Sequence, residues 1–153
     1  MNLYLDIVGG ISGDMMLSSL LGLGVNYDKF IEVMSTLSIS DEFEISLSQA
    51  SKGAIGGNKV DVILKEDAPF VHRNLSDIIN IIDNSEISSR AKYMSRKIFT
   101  VLAEAEAKVH LAKIEDVHFH EVGAVDSIVD IVSVAVCIDN LNIKEVIVSP
   151  SDY

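Results

Sequence analysis

Cysteine occurs once and proline twice in the 153-residue sequence, and basic residues are few. A single cysteine excludes an intramolecular disulfide framework and fits a reducing cytosol. Twelve Lys and Arg stand against 23 Asp and Glu, a formal net charge of -11. A field of that sign excludes binding to nucleic acid or to an anionic membrane by bulk electrostatics, and it attracts cations. Long apolar runs are also missing. The most apolar stretch, Ala124 to Leu141, is interrupted by Asp126, Asp130 and Asp139, whereas a spanning helix needs about 20 mostly apolar residues. The N-terminal stretch has no basic leader and carries Asp6 inside its apolar run. It therefore reads as a first strand rather than a signal peptide. A soluble, cytoplasmic protein with no nucleic-acid or membrane partner is expected.

What is present is enough for a core. Hydrophobic residues make up 48% of the chain and charged residues 23%, which argues for one folded domain over residues 1–153. Leu3 to Val8 alternates and is β-rich, so it predicts a strand. Ser12 is placed to cap a helix with Met15, Met16, Leu20 and Leu21 on its apolar face, ended by Gly22 and Gly24. Asn26 caps the next, with Phe30, Val33, Met34 and Leu37 as its stripe. Phe43, Ile45 and Leu47, and then Val60, Val62 and Leu64, alternate as an antiparallel pair joined by a turn or flexible loop over Lys52–Asn58. Glu66 to Arg73 reads as a loop. Asn74 caps a helix carrying Leu75, Ile78, Ile79 and Ile82, and Ser85 is placed to cap a longer one with Ala91, Met94, Ile98, Leu102, Ala105 and Val109 inward. Val117 to Gly123 is an irregular link, Ala124 to Leu141 a central helix, and Val146 to Val148 a last strand. This order predicts an α+β fold: a ferredoxin-like βαββαβ sandwich elaborated with extra helices.

The chemistry-bearing residues gather in a segment, Ile114 to Ile143, that has no Lys or Arg. His118-Phe119-His120 puts two imidazoles on one side of an extended backbone, with Glu121 next. Such a pair can share a metal ion, or it can be an exposed loop pair with no ligand. Asp126 and Asp130 share one face of the central helix, continued by Ser133 and Cys137. Asp126 lies in the first turn, where the helix dipole favours an anion. Asp130 lies deeper among apolar residues, and a buried carboxylate needs a partner, a counter-charge, a metal or a proton. Gly9-Gly10-Ile11-Ser12-Gly13-Asp14 follows a strand and opens a helix. Its backbone N–H groups can cradle a phosphate, or it is a tight turn with a helix cap. It has no basic residue, and Asp14 repels a bare phosphate unless a metal intervenes. Asp6 ends the strand that leads to this turn. His72 reads as a solvated loop residue, and His110 pairs with Glu106 near a helix C-terminus. Cys137 reads as a small core residue, Tyr93 and Phe99 as packing residues, and Arg90, Lys92, Arg96 and Lys97 as a solvated helix face.

Three stretches resemble the LarC family, the nickel-insertion proteins of lactate racemase maturation. They are Leu3–Asp6 with Gly10–Met15, then Leu102–His110, and above all the string Val117–Ile131. The resemblance spans nearly the whole chain but only the N-terminal part of the family's length. It implies nickel insertion into a pyridinium bisthiocarboxylic acid mononucleotide, with carbon–nickel bond formation. The reaction is CTP-dependent, and the CTP, with manganese or magnesium, is expected on a C-terminal domain or subunit that this sequence lacks. The resemblance assigns His118, His120, Glu121 and Asp126 to the metal, and Asp14, Glu121 and Asp130 to catalysis. Asp6, Gly10, Ser12 and Gly13 would hold the nucleotide. Expected partners are that C-terminal part, the pincer precursor, lactate racemase indirectly, and further copies in a homo-oligomer. The family's histidine-rich stretch before the helix at Asn74 is reduced here to His72. Two other readings remain open: a non-catalytic assembly subunit, and a metal-dependent phosphate-ester or nucleotide hydrolase.

Overall fold

The computed structural model describes residues 1–7, 9–65, 73–117, 119 and 124–150. It is an α+β fold with the element order that the sequence predicts. Strand β1 (Asn2–Leu5) leads to helices α1 (Gly13–Gly22) and α2 (Tyr27–Met34). Strands β2 (Phe43–Lys52) and β3 (Ile55–Leu64) follow, then α3 (Leu75–Asp83) and α4 (Ser89–His110). A short 3₁₀ turn at Ile114–Asp116 precedes α5 (Val125–Asn140), and β4 (Glu145–Val148) comes last.

The strands do not join in one ferredoxin-like sheet. Among the described residues, β1 pairs only with β4, in parallel, and β2 pairs only with β3 as an antiparallel hairpin. The reason lies at β3. The N–H of Val60 points away from β2 and donates to Ser18 Oγ of α1 at 3.0 Å. Helix α1 thus takes the open side of the hairpin that β1 would have needed. The chain returns from α5 beside β1 instead, where Lys144 N donates to Met1 O and Ser149 N to Leu5 O, both at 2.8 Å. The hairpin itself is tighter than expected, because the ladder continues to Lys52↔Ile55. Only Gly53 and Ala54 turn, and Gly53 takes the left-handed φ of +65° that such a turn requires.

Helix α5 is central, as its apolar sequence predicts: Ile128, Val129, Val132, Ala135 and Cys137 are buried. Leu17 and Leu20 of α1, Phe30 and Met34 of α2, Ile78 and Ile82 of α3, and Phe99 and Ala103 of α4 pack into the same core. Met15 is exposed and Leu17 takes the core position, so the α1 face is rotated from the one expected.

Two further expectations are corrected in α4. Its cap is Ser88, whose hydroxyl accepts from Ala91 N at 3.0 Å, while Ser85 donates to Ile82 O at the end of α3. Its buried stripe is Ala91, Ser95, Phe99 and Ala103, leaving Ile98 and Val109 exposed. Small Ala and Ser side chains let α4 lie close to α5, and that proximity chose the face over bulk hydrophobicity. Tyr93 is exposed rather than packed. The basic residues of α4 also do more than face solvent. Arg96 pairs with Asp83 at 3.2 Å, Arg90 with Asp139 at 3.3 Å, and Lys92 donates to Asp83 O at 2.8 Å. Asn26 and Asn74 cap their helices as expected, Asn74 within a capping box with Asp77. No helix among the described residues is long and apolar enough to cross a membrane. The loop expected over Glu66–Arg73 lies outside the described residues except for Arg73.

Candidate metal and substrate site

The turn between β1 and α1 begins with Gly9 and Gly10 at φ +80° and +100°, values that favour glycine. Ser12 then starts α1, but its side chain makes no capping bond to the backbone. Its hydroxyl donates to Asp14 Oδ1, which also accepts from Met15 N at 2.9 Å. Asp14 is thereby fixed at the exposed rim of the helix N-terminus, where the dipole favours a carboxylate.

Gly13 is the closest approach of this turn to α5. A methyl group at Gly13 would stand 2.7 Å from Asp130 Cβ and closer still to the carboxylate. Absence of a side chain at Gly13 is what lets the first turn of α1 meet the second turn of α5. This contact brings Asp14, Asp126 and Asp130 into one electrostatic neighbourhood. Asp126, in the first turn of α5, is exposed and accepts from Ser127 N at 2.8 Å. Asp130 is half-buried, and its Oδ1 is fully buried with no hydrogen-bond partner among the described residues. Burial first, and then the charges of Asp14 and Asp126, push its pKa up to about 6. Three acidic groups from two helices therefore converge with no base among them. They do not form a ready cage: among the described residues no three His, Cys, Asp or Glu side chains are placed to hold one ion.

On the other flank of the turn, Asp6 and Gly10 line a cleft of about 410 Å³ with Leu3, Tyr4, Leu5, Ile11, Met15 and Ser19. Its described lining has no Lys or Arg. The sequence reading found Asp6 and Gly10 but missed Tyr4, Met15 and Ser19. Tyr4 sits in a strand reading as core, and only its exposed position marks it as available. A cleft of similar volume between α2 and β2 holds none of the candidate residues.

His118, His120 and Glu121 lie outside the described residues, as does His72. Phe119, between the two histidines, is buried edge-on against Phe99 of α4, with ring centroids 6.3 Å apart. The remaining candidates have structural roles. His110 Nε2 stands 3.2 Å from Glu106 Oε2, one turn earlier on α4, as expected. Cys137 is buried, and that burial pushes its thiol up to about 12, which leaves it unreactive. The buried pair of Arg73 with Glu42, at 2.8 and 2.9 Å, has no signal in the sequence.

Comparison with known proteins adds to this geometry. The chain is 47% identical to the pyridinium-3,5-bisthiocarboxylic acid mononucleotide nickel insertion protein of Alkaliphilus metalliredigens, over 96% of this chain and 38% of that protein. Proteins of the same name from Acetivibrio thermocellus and Staphylococcus saprophyticus are 44% and 43% identical, each over 97% of this chain and over 38% and 37% of their own lengths. The chain thus spans about two fifths of the length of the relatives it matches. No solved structure matches it. The family described as nickel insertion protein matches residues 3–153, and the chain belongs to that family.

Proposed function

We propose that this chain is the metal- and substrate-handling part of a protein that inserts nickel into pyridinium-3,5-bisthiocarboxylic acid mononucleotide, the molecule in its relatives' names. The observation that carries the reading is the contact of Gly13 with Asp130, which brings Asp14 beside Asp126 and Asp130. An unpartnered buried carboxylate oxygen beside two more carboxylates is a place where a divalent ion relieves an existing cost. His118, His120, Glu121 and Asp126 are assigned to the nickel, which is a substrate. Asp6, Gly10, Ser12 and Gly13 are assigned to the mononucleotide, which the apolar cleft beside β1 can flank. Asp14, Glu121 and Asp130 act on the reacting atoms. Forming a carbon–nickel bond at a ring carbon releases the proton of that carbon. Asp130, with a pKa of about 6, is largely a carboxylate at neutral pH and can accept it. CTP, with manganese or magnesium, belongs to the remaining polypeptide of a family-length protein, in line with a cleft that lacks basic residues. The working form is a cytoplasmic homo-oligomer whose product supplies lactate racemase.

Calorimetric titration with nickel chloride tests the assignment. The wild type binds the ion, and affinity falls as pH drops through about 6 and Asp130 takes up a proton. The His118→Ala, His120→Ala double variant and Asp130→Asn each bind at least about 10-fold more weakly, with unchanged circular dichroism. Nickel affinity in the double variant equal to that of wild type would overturn the metal assignment.

A further inference from the structure

The β1–β4 ribbon is an incomplete sheet. Parallel strands normally lie inside a sheet with both faces covered, and two strands alone are marginal in water. Here all four residues of β4 are exposed. Val146 and Val148 pair with Leu3 and Leu5, and Ile147 pairs with Tyr4. Side chains alternate along a strand, so apolar groups are exposed on both faces of β4: Val146 at 42%, Val148 at 52% and Ile147 at 45%. Leu3 and Leu5, on β1, are half-buried. The core therefore covers the sheet on the β1 side and stops short of β4. Sequence tells the same story. Edge strands are commonly protected by lysine, an inward charge, a bulge or proline. β4 is Glu-Val-Ile-Val, and after Glu145 its three residues are the apolar run of an interior parallel strand.

The two sides of the ribbon are not equivalent. Five consecutive residues from β1 onward, Leu3 to Ile7, line the cleft assigned above to the mononucleotide, and β4 contributes nothing to that lining. Among the described residues, the open side of β4 is the side free for pairing. We infer that the sheet is completed there by a β-strand from the remaining polypeptide of a family-length nickel insertion protein, packed so that it also covers Val146, Ile147 and Val148. The inference rests on the reading of this chain as one part of such a protein. The relatives hold the material: this chain accounts for 38% of their length. A second copy of this chain is the weaker occupant. Pairing of β4 with its own symmetry mate would be antiparallel, and by itself would leave both faces of the ribbon bare.

Hydrogen–deuterium exchange, read by mass spectrometry, compares this chain alone with the full-length Alkaliphilus metalliredigens relative. Amides of residues 145–148 exchange quickly in this chain at every protein concentration. The aligned amides of the relative exchange at least about 100-fold more slowly. Equal exchange in the two proteins would overturn the inference. So would slow exchange in this chain that strengthens with concentration, which would assign the edge to a second copy. The readout uses no metal, so a failed nickel titration leaves it standing, and a failed exchange experiment leaves the nickel assignment standing.

Discussion

Asp130 is the residue on which most of the site turns. Its Oδ1 is buried without a partner among the described residues, and its neighbours Asp14 and Asp126 carry the same charge. In the unfolded chain the group titrates near the ordinary value of 3.8, and in the fold at about 6. Between those values the folded state binds the extra proton, so this group's effect on stability worsens as pH rises from about 4 to about 6 and stays unfavourable above. Asp130→Asn keeps the shape and removes the charge. Thermal melts should show the variant more stable than wild type at pH 7, by about 1–2 kcal/mol after solvent screening of a half-buried group. The difference should vanish near pH 4. A variant no more stable at pH 7 would mean that the carboxylate already has a counter-charge. Gly13 is the second such residue. The sequence places it in a turn that can cradle a phosphate or simply open a helix, yet its missing Cβ sets the distance between α1 and α5.

Between elements, capping residues and ion pairs fix the angles. Ser88 caps α4 and donates to Asp139 Oδ2 of α5 at 2.5 Å, while Arg90 reaches the same carboxylate. The start of α3 is tied to the start of β2 by Arg73, whose guanidinium donates to both Glu42 oxygens with both side chains largely out of water. Removing one partner of a buried pair strands the other charge. Arg73→Ala should therefore lower stability by about 3 kcal/mol in urea unfolding, and Arg73→Ala with Glu42→Ala together should cost less than the sum of the two single changes. An additive result would show the pair to be uncoupled. The helices, the hairpin and both asparagine caps were legible because local signals specify them: period, cap chemistry and turn residues. The face of α4 and its true cap were not. Ala91 lies on the expected face, but Ser95 and Ala103 carry little hydrophobic signal, and the close packing of α4 on α5 selects them.

At the scale of the whole molecule, the link carrying the histidines is anchored in the core through Phe119, one of the largest fully buried side chains. Its ring lies edge-on to Phe99 at 67°. Phe119→Ala should cost about 3–5 kcal/mol in equilibrium unfolding. Because His118 and His120 flank it, the variant should also weaken nickel binding under conditions where it remains folded. Unchanged unfolding would show that the link does not close the core. The net charge of -11 has its chemical focus where α1 meets α5, and the apolar strand β4 stands exposed beyond it.

The sequence by itself determined the α+β class, the element order and the family. Each of these follows from local periodicity, from composition, or from a string of residues with a definite chemical type. Tertiary structure alone decided which strands pair, because Ser18 of α1 takes the Val60 amide that a four-stranded sheet would have used. It also decided that Asp14 and Asp130, 116 positions apart, act on each other. No local signal encodes a distance between two helices. That distance is set by what each can place at the contact, and at Gly13 it is a hydrogen atom.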